Sequence, residues 1–106
     1  MKKVAELISL KGSAALITGA TGNIGQEVAL TIAELGGNLI LVDRPGSNYD
    51  QIRENVLDNW NVNVKCIDCD LENHNSRINL IEEIVKNNVN LDILINNAAF
   101  VGESNL

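Results

Sequence analysis

Four short apolar segments alternate with longer amphipathic segments along this chain of 106 residues. The apolar segments are 14–17, 38–43, 62–67 and 91–95, which read AALI, NLILVD, VNVKCI and LDILI. Short, nearly continuous apolar segments are typical of strands that are buried on both faces of a parallel sheet. The alternation therefore predicts a β-α-β-α-β-α-β order, and this order restricts the chain to a few topologies.

The segments between the strands predict three helices, over 24–35, 48–59 and about 76–86, the last capped by Ser76 or Asn75. Gly36-Gly37 ends the first helix. The apolar positions that define the three inward faces are Ile24, Val28, Ile32 and Leu35, then Ile52, Val56 and Leu57, then Ile78, Ile81, Ile84 and Val85.

The fold class predicted from this order is α/β, a Rossmann-type doubly wound parallel sheet truncated to about four strands in the order 3-2-1-4. Residues 1–106 are expected to form one domain. In such sheets a ligand binds where the strand order reverses, beyond the carboxyl ends of strands one and four. Both a glycine-containing turn and an Asn-Asn-Ala-Ala turn fall at that point in this sequence.

The glycine-containing turn, Thr18 to Gly25, follows the first strand and opens the first helix. Gly19 can take the positive φ of a tight turn, Gly22 lets a pyrophosphate approach the backbone, and Gly25 lets the helix pack close to the strand. The N–H groups and the dipole of the helix N-terminus favour an anion there. The turn therefore predicts a dinucleotide site that contains Gly19, Thr21, Gly22, Asn23, Ile24 and Gly25.

Asp43 ends the second strand 18 residues after Gly25, which is close to the spacing of a ribose-binding acid. Its carboxylate can accept hydrogen bonds from both adenosine ribose hydroxyls and would repel a 2′-phosphate. Arg44 has two interpretations, because it can pack on the adenine or pair with a 2′-phosphate. The acid favours NAD as the cofactor over NADP.

These motifs resemble those of the short-chain dehydrogenase/reductase family, from Leu10 to the Asn-Asn-Ala-Ala turn at 96–99. The resemblance rests on the glycine turn, on Asp70-Leu71 after the third strand, and on the 96–99 turn, which in the family is usually Asn-Asn-Ala-Gly. It implies that Asp70 and Leu71 contact the adenine, and that Asn97 and Ala98, with Ala99 beside them, lie next to the cofactor ribose. It also implies hydride transfer between a nicotinamide and a carbonyl or alcohol substrate.

The chain departs from the family in two respects. The spacing of Gly19, Gly22 and Gly25, with Asn23 between, is more typical of the extended branch, which includes nucleotide-sugar epimerases and dehydratases. The family's catalytic Tyr-x-x-x-Lys pair and its preceding Ser are not found in these residues, because Tyr49, the only tyrosine, is followed at the fourth position by Arg53. We therefore expect no catalytic residue here, and the 106 residues alone should be inactive. An extended-type fragment and a non-catalytic NAD-binding module stay as alternatives.

Composition and charge exclude several other functions. A net charge of −6 without a basic block argues against nucleic acid or an acidic membrane as a partner. The sequence has neither an apolar run of membrane-spanning length nor a signal peptide, so we expect a cytoplasmic protein. Cys66 and Cys69 form a CxxC with only His74 nearby, which predicts structural cysteines and no metal site. The apolar fourth strand would be a sheet edge here, which predicts a homo-oligomer.

Overall fold

The computed structural model describes residues 9–87 and 89–98. Seven elements follow one another in the predicted order, β-α-β-α-β-α-β. The strands are β1 (Ala14–Thr18), β2 (Asn38–Asp43), β3 (Val64–Asp68) and β4 (Leu91–Asn96), and the helices are α1 (Asn23–Glu34), α2 (Asp50–Asn59) and α3 (His74–Lys86).

The four strands form one parallel sheet in the order β3-β2-β1-β4, as the sequence predicted. Leu16 lies beside Ile40 of β2 on one side and beside Leu94 of β4 on the other. The register between β1 and β4 shifts between Ala14 and Ala15, and the carboxylate of Asp92 there accepts the Ala14 N–H at 3.0 Å. This bulge leaves the carboxyl ends of β1 and β4 level with each other.

Helices cover both faces of the sheet, so the core has two parts. On one face Ile17, Leu39 and Leu41 pack with α1 and α2, and on the other face Leu16, Ile40 and Val42 pack with α3. All five residues of β1 and the four central residues of β2 are buried. The continuous apolar segments of the sequence are thus explained by strands that are covered on both sides.

The inward faces of the helices were predicted only in part. In α1 the buried positions are Gly25, Ala29, Ile32 and Ala33, whereas Ile24 is 69 % exposed. Three of these four positions are small, because the start of α1 lies too close to the end of β1 for a side chain at Gly25. In α2 Leu57 is exposed beside the buried Ile52 and Val56, and in α3 the buried residue is Leu80, with Ile78, Ile81 and Val85 exposed.

The ends of β3 and α3 also differ from the sequence-based prediction. Strand β3 begins at Val64 rather than at residue 62. Helix α3 begins at His74, and its cap is Asn73, not Ser76 or Asn75: the Asn73 side chain accepts the Ser76 N–H at 2.9 Å. Within the described ranges no helix has the length and apolarity that a membrane crossing needs.

Candidate dinucleotide site

A pocket of about 700 Å³ opens at the carboxyl ends of the strands, where the strand order reverses. This volume lies within the range of small-molecule sites. Most of the residues predicted for the site line it, namely Gly19, Thr21, Gly22, Asn23, Ile24, Asp43, Arg44, Asp70, Leu71, Asn97 and Ala98. Gly25 does not line the pocket, and Ala99 lies outside the described residues. Sequence reasoning missed Val42, Cys69 and Glu72, which also line it.

The buried hydroxyl of Thr18 joins the ends of β1 and β4 beneath the pocket. It accepts the N–H groups of Asn97 and Ala98, both at 3.0 Å, and donates to Asn96 Oδ1 at 3.1 Å. These three bonds use the one donor and the two acceptor positions that a hydroxyl has. The Asn97 side chain adds a bond to the Gly19 carbonyl at 3.3 Å. The glycine turn and the Asn-Asn-Ala segment are therefore held against each other.

Gly19 and Gly25 are required by the packing of this turn. Gly19 has a φ of +65°, and a Cβ on it would lie 3.0 Å from the Ala98 Cα. A Cβ on Gly25 would lie 2.2 Å from the Gly19 carbonyl oxygen, so a side chain there is incompatible with the present helix position. The predicted role of Gly25 in close helix packing is consistent with this geometry.

Gly22 differs from the other two glycines, because no described residue lies close enough to forbid a side chain there. Its φ of −76° is open to any residue, and an added Cβ would lie 3.5 Å from the nearest atom, the Gly19 carbonyl oxygen. Gly22 is the N-cap of α1 and offers no side chain to the N–H groups of the first turn, which also contains no acidic residue. The positive end of α1 thus borders the pocket, and the first turn of the helix itself carries no carboxylate.

Asp43 is held in place by donors on both of its carboxylate oxygens. Thr21 donates to Oδ2 twice, from its hydroxyl at 2.6 Å and from its N–H at 2.9 Å. The Arg44 N–H donates to Oδ1 at 2.8 Å. Burial alone raises the pKa of Asp43, but the hydrogen bonds from Thr21 and Arg44 outweigh it and lower the pKa. The group is a fixed carboxylate anion at neutral pH.

The Arg44 side chain extends over the rim of the pocket and pairs with Glu72. The two side chains lie 3.9 Å apart and are 63 % and 60 % exposed. An exposed pair of this kind contributes little to stability. It places Arg44 beside a carboxylate. Among the described residues, this end of the pocket carries Asp43, Asp70 and Glu72 against one arginine.

The loop after β3 presents Asp70 and Leu71 to the pocket. The Ser76 hydroxyl accepts the Asp70 N–H at 2.8 Å, and Asp70 Oδ1 accepts the Glu72 N–H at 3.1 Å. Arg77 donates to the Leu71 carbonyl at 2.6 Å. The start of α3 therefore fixes the loop that faces Asp43.

Tyr49 has a structural position that its sequence context did not indicate. Its hydroxyl accepts the Asp43 N–H at 2.9 Å, and it lies 3.0 Å from Asp68 Oδ1 and 3.1 Å from the Ile67 carbonyl, to either of which it can donate its proton. Burial, followed by the hydrogen bond and charge of Asp68, raises the pKa of Tyr49. The ring joins the ends of β2 and β3 and does not line the pocket.

The two cysteines lie on opposite faces of the sheet. Cys66 packs with the α1–α2 part of the core and Cys69 with the α3 part, and both are free thiols. Residues three apart on an extended chain point to opposite sides, so this CxxC does not bring its sulfur atoms together. Among the residues that the structure describes, no group of three or more His, Cys, Asp or Glu is placed to hold a metal ion.

Comparisons with known proteins match this chain to one family. The model of the short chain dehydrogenase family matches residues 13–106. The chain is 39 % identical over 89 residues to the very-long-chain 3-oxoacyl-CoA reductase of Coccidioides immitis, covering 82 % of this chain and 25 % of that protein. It is 35 % identical over 101 residues to the 3-oxoacyl-[acyl-carrier-protein] reductase FabG of Rickettsia bellii, covering 92 % and 37 %.

Solved structures agree with these matches. The NADPH-dependent 3-quinuclidinone reductase of Rhodotorula rubra superposes with a TM-score of 0.75 at 32 % identity, covering 89 % of this chain and 35 % of that one. The oxidoreductase yciK of E. coli superposes with a TM-score of 0.79 at 26 % identity, covering 95 % and 41 %. The chain thus spans about a quarter to two fifths of the length of these relatives and corresponds to their N-terminal part. By the family model and by its fold, the chain belongs to the short-chain dehydrogenase/reductase family.

Proposed function

We propose that the chain forms the dinucleotide-binding half of an NAD(P)-dependent oxidoreductase that moves a hydride between a nicotinamide and a carbonyl or alcohol substrate. One observation carries the proposal: the pocket at the switch point joins a glycine turn, an ionised acid and the segment after β4. When bound, the dinucleotide supplies the hydride donor or acceptor. The residues of this chain bind and orient it.

The two ends of the pocket suit different parts of a dinucleotide. The N–H groups at the start of α1 suit the pyrophosphate, because the helix end is positive and Gly22 leaves room for an anion. Asp43 suits the adenosine ribose, because an ionised carboxylate only accepts hydrogen bonds. We assign Asp70 and Leu71 to the adenine, and Asn97 and Ala98 to the ribose on the nicotinamide side.

We propose that NAD is preferred over NADP. Three carboxylates, those of Asp43, Asp70 and Glu72, line the adenosine end, so an added 2′-phosphate meets repulsion. Among the described residues that line this end, Arg44 is the one cation, and its side chain lies beside that of Glu72. The Rhodotorula rubra reductase is NADPH-dependent, which supports the opposite preference. The ratio of the affinities for NAD and NADP is therefore the first quantity to measure.

We propose that the catalytic residues are outside these 106 residues. The family resemblance implies a lysine four positions after the catalytic tyrosine. The residue four positions after Tyr49 is Arg53. The Tyr49 hydroxyl is also engaged by the ends of β2 and β3, away from the pocket. The 106 residues tested alone should bind a dinucleotide without catalysing hydride transfer, since positioned acid–base groups contribute about 10²–10⁴-fold to rate.

The family match favours a dehydrogenase or reductase over a nucleotide-sugar epimerase.

We further propose a cytoplasmic location and a homo-oligomeric state. We also propose a small-molecule substrate, no nucleic-acid or membrane partner, and no bound metal. The net charge of −6 supports the absence of nucleic acid.

Calorimetric titration of the purified protein with NAD⁺ and NADP⁺ tests the proposal. We expect NAD⁺ to bind at least about tenfold more tightly, a difference that one charged contact can supply. Asp43→Ala should narrow the difference, whereas Asp58→Ala, which removes the same charge from the exposed face of α2, should leave it unchanged. Absence of binding to either dinucleotide would reject the function, and tighter binding of NADP⁺ would reject the cofactor preference alone.

A further inference from the structure

We infer that Thr21 is a positioning residue that sets the choice between NAD and NADP by fixing the carboxylate of Asp43. The inference rests on the proposed function, and it names a specificity determinant that acts through another residue. Thr21 lies in the turn after β1 and Asp43 lies at the end of β2, so the contact joins two strands at the mouth of the pocket.

The contact is short and is made twice to the same oxygen. The Thr21 hydroxyl lies 2.6 Å from Asp43 Oδ2, a distance typical of strong O–H···O⁻ bonds, and the Thr21 N–H lies 2.9 Å from it. A carboxylate oxygen has about two lone-pair sites. Thr21 therefore occupies those of Oδ2. Oδ1 accepts the Arg44 N–H at one of its sites, so its second site is the one left to meet a ribose hydroxyl.

This arrangement favours a hydroxyl over a phosphate. The Arg44 N–H holds Oδ1 from the other side at 2.8 Å, so the carboxylate cannot rotate away without breaking bonds at both oxygens. A fixed anion accepts a ribose hydroxyl without reorganisation, and it cannot swing aside to admit a 2′-phosphate. Without the Thr21 hydroxyl the carboxylate keeps its charge at neutral pH and its bonds from the Thr21 and Arg44 N–H groups. It loses its shortest bond, so it turns away from a phosphate more readily.

The hydroxyl can be removed with little change of shape, which makes the inference testable. Thr21→Val replaces the hydroxyl by a methyl group and keeps the N–H bond, and Thr21→Ser keeps the hydroxyl. Thr31→Val is the matched control, because the Thr31 hydroxyl donates to the Glu27 carbonyl on the exposed side of α1 and does not line the pocket. Circular dichroism checks that every variant is folded.

We expect Thr21→Val to weaken NAD⁺ binding about tenfold, the effect of one hydrogen bond to a charged group. NADP⁺ binding should stay within about twofold, so the ratio of the two dissociation constants falls about tenfold. Thr21→Ser should restore the ratio, and Thr31→Val should leave it unchanged. Residue Thr21 would have a merely structural role if Thr21→Val weakened both dinucleotides equally, or if Thr21→Ser failed to restore the ratio.

A second measurement requires no dinucleotide. The Thr21 hydroxyl lowers the pKa of Asp43, so the pKa measured by carboxyl NMR titration should rise in Thr21→Val and return in Thr21→Ser. An unchanged pKa overturns the inference even if NAD⁺ binds as proposed. If wild-type protein binds neither dinucleotide, the proposed function fails and the inference falls with it, whatever the pKa.

Discussion

Two glycines of one turn are expected to respond in opposite ways to an added side chain. Gly25→Ala places a Cβ 2.2 Å from the Gly19 carbonyl oxygen and 2.9 Å from the Ala20 Cα. Both facing atoms belong to the backbone and cannot rotate aside, so α1 and the turn must separate by roughly 1 Å in a close-packed interior. Gly22→Ser places its Cβ at 3.5 Å from the same oxygen, an ordinary contact.

The cost of Gly25→Ala is the overpacking less the gain in helix propensity. Overpacking costs about 3 kcal/mol at the upper end of its usual range, and Ala exceeds Gly in a helix by about 1 kcal/mol. We expect a loss of about 2 kcal/mol in the free energy of unfolding, which corresponds to a fall in Tm of roughly 10 °C or more for a domain of this size.

Gly22→Ser should leave stability unchanged or raise it by a few tenths of a kcal/mol, because Ser is a better N-cap than Gly. It should nevertheless weaken dinucleotide binding at least about tenfold, since its side chain occupies the space and the N–H groups assigned to the pyrophosphate. Thermal and urea denaturation measure the first effect, and calorimetry measures the second. A wild-type Tm in Gly25→Ala would refute the packing argument, and wild-type affinity in Gly22→Ser would refute the phosphate assignment.

Three further predictions follow from the described contacts. Thr18→Val removes a hydroxyl that accepts the N–H groups of Asn97 and Ala98. Urea denaturation should show that it lowers the free energy of unfolding by about 3 kcal/mol, and a loss below about 1 kcal/mol would contradict this. Burial raises the pKa of the Cys66 thiol, so less of it is the reactive thiolate in the native protein. Mass spectrometry should find that iodoacetamide alkylates Cys66 about tenfold more slowly in native than in urea-unfolded protein. Equal alkylation rates would contradict this. In the sheet that the described residues form, β4 is an edge strand whose Leu94 is 66 % exposed. Light scattering on the 106 residues should therefore give an apparent mass that rises with concentration, and a constant monomer mass would contradict self-association through this edge.

The strands and their order could be predicted because strands that are buried on both faces have recognisable apolar sequences. The segments around Ile17 and Leu41 are apolar at nearly every position, and a right-handed crossover then leaves few arrangements. The position of the glycine turn could be predicted for the same reason, because the turn directly follows β1 and the apolar sequence of β1 shows where that strand ends.

The helix faces could not be predicted from apolar periodicity alone. The contact between Gly25 and Gly19 fixes how α1 is rotated, and this rotation turns Ala29 and Ala33 toward the sheet while Ile24 faces the pocket. The periodicity of large side chains instead indicated a stripe that contains Ile24. A pattern of small residues at the same spacing was the available signal.

The hydrogen bonds that hold the site together could not be predicted from the sequence, for a different reason. Thr18 bonds to residues 78 to 80 positions away, and Tyr49 bonds to Asp68, 19 positions away. Each of these residues is an ordinary polar residue in its own segment. Only the assembled sheet shows that one hydroxyl joins β1 to β4 and another joins β2 to β3.

The pocket is polarised in the same way as the ligand that we propose for it. Its glycine-turn end offers N–H donors and a helix terminus without acidic residues in the first turn, and its other end offers the acceptors of Asp43 and Asp70. A simple anion suits the first end and is repelled by the second, whereas a neutral nucleoside suits the second and leaves the first without a partner. A dinucleotide has both an anionic centre and a ribose with hydroxyl donors. An added 2′-phosphate would place a second anion at the acidic end, and this repulsion is the basis of our proposal that NAD is preferred over NADP.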